Sequence, residues 1–120
     1  MQRYTDLKVW QRAHQQVLRV YELTTSFPAD ERFGLTRQLR RAVASVPTNI
    51  AEGSRRSGAA DYARFLNIAE GSLAETDYLL LLARDLRFAP ADVVEPLRAE
   101  VDEIARMLFT LRIKVEREGR

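Results

Sequence analysis

The stretch 38–57, QLRRAVASVPTNIAEGSRRS, decides the fold of this chain. Leu39, Ala42, Val46 and Ile50 recur at helical spacing, and Pro47 interrupts them. A proline inside a helix removes an N–H donor and crowds the preceding turn, at about 3 kcal/mol. The apolar stripe nevertheless resumes on the same face beyond it. That is the pattern of one long helix, kinked at Pro47 and held by packing. Extended outward, this second helical segment reads from about Asp30 to Ser57-Gly58. Leu35, Leu39, Ala42, Val46, Ile50 and Gly53 fall on one side, and Arg37, Arg40, Arg41 and Arg55 broadly on the other.

Three further segments have the same periodicity. The first runs from Thr5, an expected N-cap, to Ser26, with Leu7, Trp10, His14, Val17 and Tyr21 as the expected buried stripe. Phe27-Pro28 ends it, because a residue before proline disfavours the helical region. The third runs from about Ala60 to Leu86, with Tyr62, Phe65, Leu66, Ala69, Leu73, Leu80 and Ala83 on its stripe. Gly71-Ser72 in mid-helix is unfavourable in isolation and suggests close approach of a neighbour. The fourth starts near Pro90, a suitable first-turn residue. Leu97, Val101, Ile104, Leu108, Leu111 and Val115 form a heptad seam, and the charged tail Glu116–Arg120 is expected to fray. Short connections make neighbouring helices antiparallel. The expectation is a single all-α domain over residues 1–120, an antiparallel up-down-up-down four-helix bundle.

The composition agrees: 120 residues, 46% apolar, with only 5 Gly and 4 Pro, fit one domain with a real core and few loops. Without cysteine, disulfides, zinc fingers and thiol nucleophiles are excluded. The N-terminus MQRYTDLKVW lacks a signal-peptide core, and the apolar run Tyr78–Ala83 is too short to cross a bilayer. A soluble cytoplasmic protein with no membrane contact is expected. The net charge is +2, but Arg32, Arg37, Arg40, Arg41, Arg55 and Arg56 face Glu52 alone over residues 32–56, a local +5 that leaves −3 elsewhere. Such polarity suits nucleic acid and equally suits a solvated helix face.

Several motifs carry a resemblance: Tyr4-x-x-Leu7-x-x-Trp10; Phe27-Pro28-x-x-Glu31-x-x-Gly34-Leu35-x-x-Gln38-Leu39-Arg40-Arg41-Ala42; Ser45-Val46-Pro47-x-Asn49-Ile50-Ala51-Glu52-Gly53; and Phe65-Leu66-x-Ile68-Ala69-x-Gly71-Ser72-Leu73-x-Glu75. In these the chain resembles the four-helix-bundle family named after proteins encoded in 23S rRNA intervening sequences. Thr48 stands where that family often has a smaller residue. The resemblance implies a four-helix bundle and a ring of five protomers. It also implies kinship with accessory proteins of diversity-generating retroelements, basic bundles that partner a reverse transcriptase and bind nucleic acid.

No catalytic constellation is visible. His14, the only histidine, has no second soft ligand at metal-binding spacing, and Asp102-Glu103 point in different directions on a helix. No cofactor, metal or enzymatic activity is expected. Asn49 and Glu52 are read as partners for backbone groups freed by Pro47, and Gly53 as a site of close helix approach. Counting through the hairpins places Trp10 opposite Pro47, Ser72 near Ser45, and Glu75 near Arg41 or Gln38. An Arg41–Glu75 ion pair is therefore expected. Tyr78, Leu81, Leu82, Met107 and Phe109 exceed what the core needs and mark an oligomer interface. Arg37, Arg40, Arg41, Arg55 and Arg56 are the expected nucleic-acid-binding residues. The function expected is a non-enzymatic homo-oligomer, a pentamer by resemblance, that binds RNA or DNA through its second helix. The alternative is a scaffold for a protein partner such as a reverse transcriptase.

Overall fold

Apolar residues at spacings of three and four run through nearly the whole chain. In a computed structural model, which describes residues 3–119, they form four helices. Helix α1 spans Lys8–Thr24, α2 Leu35–Ser54, α3 Ala59–Asp85 and α4 Ala91–Glu118. Single 3-10 turns at Tyr4–Asp6 and Ala29–Glu31 precede α1 and α2. No strand occurs among the described residues. Each helix packs on its chain neighbours and α4 closes against α1, giving the up-down-up-down bundle, a rod of 48 × 24 × 20 Å. Leu39, Ile50, Leu66, Leu73, Leu80, Ile104 and Leu108 fill its axis and are fully buried. Helix α2 continues unbroken through Pro47, which is buried.

The register of α2 on α3 is the one counted from the turn. Ser45 Oγ lies 2.8 Å from Ser72 Oγ. Asn49 Nδ2 donates to the Ser45 carbonyl at 2.8 Å and to Ser45 Oγ at 2.9 Å. The Glu52 side chain is exposed and makes no hydrogen bond among the described residues; Asn49 and Thr48, whose Oγ1 donates to the Ala44 carbonyl at 2.8 Å, serve the backbone beside the proline instead. A Cβ at Gly53 would lie 2.8 Å from Phe65 Cβ, so the glycine is what lets α3 approach here. Gly71 has open space around it and serves no such contact, contrary to expectation.

Helix α1 is rotated by about one position from the expected stripe. Val9, Ala13, Gln16, Val20 and Thr24 are buried, while Leu7, Trp10 and Val17 flank them and His14 and Tyr21 are exposed. The polar members of this line are satisfied. Gln16 Nε2 donates to the Leu97 carbonyl at 3.1 Å, and Thr24 Oγ1 to the Val20 carbonyl at 2.9 Å. Trp10 sits half-buried between Tyr4 and His14, its ring stacked 5.0 Å from the histidine ring. It borders a surface cavity shared with Pro47, as counted.

Two helix starts differ from expectation. Thr5 is not an N-cap. It belongs to the preceding turn, and its carbonyl accepts from Gln11 Nε2 at 2.8 Å. Helix α2 begins at Leu35 rather than Asp30, because the Glu31 side chain accepts the Leu35 N–H at 3.0 Å and so ends the turn and starts the helix. This leaves Arg32-Phe33-Gly34 outside the helix. At the far end of α3, Arg87 adopts φ 64°. The Phe88 N–H reaches the Ala83 carbonyl at 2.9 Å and the Arg87 N–H the Arg84 carbonyl at 3.0 Å, the hydrogen-bond pattern of a Schellman cap that glycine usually terminates. Helix α4 stays helical to Glu118, past the point where fraying was expected; Arg120 lies outside the described residues.

Candidate nucleic-acid interface

Helix α2 has one acidic residue, Glu52, and its arginines divide by the direction each faces. Arg37, Arg41 and Arg55 are exposed on the outer ridge, and none has a carboxylate within ion-pair distance among the described residues. Arg37 and Arg41 are one turn apart, about 6 Å along the axis. Arg40 turns inward to α1. Its Nε donates to Thr24 Oγ1 at 2.7 Å, its Nη2 to the Tyr21 carbonyl at 3.2 Å, and its guanidinium lies 4.6 Å from the Tyr21 ring centre. Arg56, just beyond α2, stacks on Phe65 at 4.6 Å and lies 3.7 Å from Asp61. Arg64 covers the same ring at the same distance.

The expected Arg41–Glu75 pair does not form. Both side chains instead border one open groove between α2 and α3, about 640 Å³ in volume, together with Phe33, Arg37, Gln38 and the Ser45–Ser72 pair. The separation follows from the local geometry. Ser45 and Ser72 close the seam with two short side chains, while the longer Arg41 and Glu75 stand outward on either bank. Phe33 is a residue that sequence reasoning missed. It is 74% exposed, with the Arg32 guanidinium 4.7 Å from its ring centre. The signal that could have found it is the Glu31 cap, which places residues 32–34 in a turn.

Most arginines of the other helices are engaged, while Arg106 and Arg117 of α4 are exposed without a carboxylate partner among the described residues. Arg12 pairs with Glu103 at 2.7 Å, Arg19 with Glu100, Arg84 with Glu95 at 2.9 Å, Arg98 with Asp77 at 3.0 Å, and Arg112 with Glu70. The hydrogen bond to Asp77 raises the Arg98 pKa, and that to Glu70 raises the Arg112 pKa, so both stay charged across the useful pH range. Hydrogen bonding from Arg12 holds the Glu103 carboxyl below the usual range. Burial raises the Tyr62 phenol.

Of the expected interface residues, Tyr78 is 58% and Phe109 52% exposed, with Arg112 lying over the Phe109 ring. Leu81 is half-buried, while Leu82 and Met107 pack partly against the bundle's own core. Among the described residues, no group of three His, Cys, Asp or Glu is gathered to hold a metal ion, and no helix is long and apolar enough to cross a membrane.

Comparison with known proteins adds family and fold. The family model described as 23S rRNA-intervening sequence protein matches residues 5–110. A crystal structure from Bacteroides thetaiotaomicron is similar, with a TM-score of 0.78 and 23% identity over 87% of this chain and 97% of that one. It is described as a protein of unknown function from the S23 ribosomal protein family. No curated protein matches the chain.

Proposed function

This chain belongs to the 23S rRNA-intervening sequence protein family, and on that premise we propose that it is a non-enzymatic, oligomeric bundle that binds RNA or DNA through the outer ridge of α2. One observation carries the reading: Arg37, Arg41 and Arg55 form an exposed ridge without a carboxylate partner among the described residues, whereas the arginines of α1 and α3, and Arg98 and Arg112 of α4, are committed to ion pairs. An arginine free of a carboxylate keeps its planar fork for phosphate. A homo-oligomer, with five protomers preferred, repeats the ridge around a symmetry axis and raises avidity without a new contact type. Arg40 and Arg56 contribute less than the other three, because their guanidinium groups are already stacked and bonded within the chain.

The test is a mobility-shift titration with a structured RNA at two salt concentrations. The parent protein should bind, and bind more weakly at higher salt. The combined Arg37→Gln, Arg41→Gln and Arg55→Gln variant, at unchanged helicity and oligomer mass, should lose about tenfold or more. Equal binding by the variant would leave the ridge a solvated face. The exposed Tyr78 and Phe109 rings favour a second reading, a scaffold for a protein partner, which then takes precedence. Light scattering of Tyr78→Glu with Phe109→Glu tests self-association. A mass unchanged from the parent's would remove those rings from the interface.

A further inference from the structure

We infer that the groove between the start of α2 and α3 holds an unpaired nucleotide of a single-stranded nucleic acid, with its base stacked on Phe33; this rests on the nucleic-acid reading and names the ligand class of the same face. Three features of the groove support this. A phenylalanine that is 74% exposed sits at one end, in the turn fixed by the Glu31 cap. Arg37 and Arg41 line the same groove and carry the positive charge for the phosphates on either side of that base. Farther from Phe33 stand Glu75 and the Ser45–Ser72 hydroxyls, and Gln38 lies between the two arginines, a set that offers acceptors and donors to a base edge or a sugar, with a carboxylate that repels a phosphate.

A duplex hides its bases, so an exposed aromatic ring beside two free arginines suits a strand whose bases are unstacked. Stacking on aromatic side chains joined to a basic track is how sequence-tolerant single-strand binding works. The groove's volume of about 640 Å³ accommodates a nucleotide. Arg32, its guanidinium 4.7 Å from the Phe33 ring centre, adds a third positive charge beside the ring.

The test compares a short single-stranded RNA, the DNA of the same sequence and the matching RNA duplex by fluorescence anisotropy. Phe33→Ala should weaken single-strand binding about tenfold, as expected for one lost stack, and leave duplex binding unchanged. A loss confined to the RNA or to the DNA strand assigns the groove to that strand. Glu75→Ala should leave single-strand affinity unchanged or lower it. If Glu75→Ala strengthens binding of every probe several-fold, the groove only collects phosphate and the inference fails. If Phe33→Ala changes the oligomer mass instead of binding, Phe33 belongs to a contact between copies and the inference fails. If the parent binds its probes but Phe33→Ala is silent, the stacking inference falls while the α2 ridge reading stands. If the parent binds none of the probes, both fall.

Discussion

Along α2 and α3 the helices meet through small side chains and hydroxyls, whereas α4 is held to both of its neighbours by arginine–carboxylate pairs. Gly53, Ser45 and Ser72 bring the first seam together without using any charge. Arg12–Glu103 and Arg19–Glu100 bind α4 to α1, and Arg98–Asp77 and Arg112–Glu70 bind it to α3. The difference explains why free positive charge remains beside the α2–α3 seam. A seam closed by short side chains leaves long neighbours pointing outward, so Arg37 and Arg41 stay exposed beside Glu75 without pairing to it. A seam closed by charge consumes its arginines.

The largest expected effect breaks the close seam. Gly53→Ala forces a methyl group to within 2.8 Å of Phe65 Cβ and should cost about 2 kcal/mol in urea denaturation. A cost below about 0.5 kcal/mol would mean the seam relaxes freely and is not held by close approach. The second glycine sharpens the contrast. Gly71 is exposed, and a methyl group added there would meet nothing within 4 Å, so Gly71→Ala should stabilise by about 0.5–1 kcal/mol through helix propensity alone. The charged seam should be cheaper to break than the close one. Arg98→Gln removes the bonds to Asp77 and Glu95 in a setting about a quarter to a half exposed, where such pairs contribute about 0.5 kcal/mol. A loss rivalling that of Gly53→Ala would reverse the comparison. The smallest effect is a pH dependence. Arg12 lowers the folded pKa of Glu103, so its contribution is present above the unfolded carboxyl value, about 4.3, and is lost as pH falls through the lowered folded value. Thermal melts at neutral pH and at about pH 3 should therefore show Glu103→Gln losing slightly less stability on acidification than the parent.

Much of the bundle was legible in the sequence because it rests on apolar periodicity. The stripe across Pro47, the α4 seam, the Ser45–Ser72 contact and the Trp10–Pro47 neighbourhood all follow from spacing and antiparallel counting. What was not legible depended on polar side chains acting as core or as caps. Gln16 and Thr24 hold buried positions because their polar atoms find carbonyl partners, so an apolar count set the phase of α1 about one residue away. The Arg40 contacts with Thr24 and Tyr21 depend on that phase and were hidden with it. The start of α2 was hidden because Glu31 caps it from four residues upstream, and Phe33 is inconspicuous for the same reason. The five candidate arginines share one segment, but register alone does not fix which long side chain finds a partner. Arg40 and Arg56 are engaged, while Arg41 is not.

The most direct test sets two variants of equal charge change against each other. One carries Arg37→Gln, Arg41→Gln and Arg55→Gln on the α2 ridge, and the other Arg12→Gln, Arg84→Gln and Arg98→Gln at paired positions. The logarithm of RNA affinity is followed against the logarithm of salt concentration. Each phosphate contact removed should lower the slope by about 0.7–0.9. The ridge variant should lose about two units of slope or more, and the paired variant should keep the slope of the parent. Equal slopes for the two variants would show that binding follows net charge alone, and that the unpaired arginines of α2 have no special part in it.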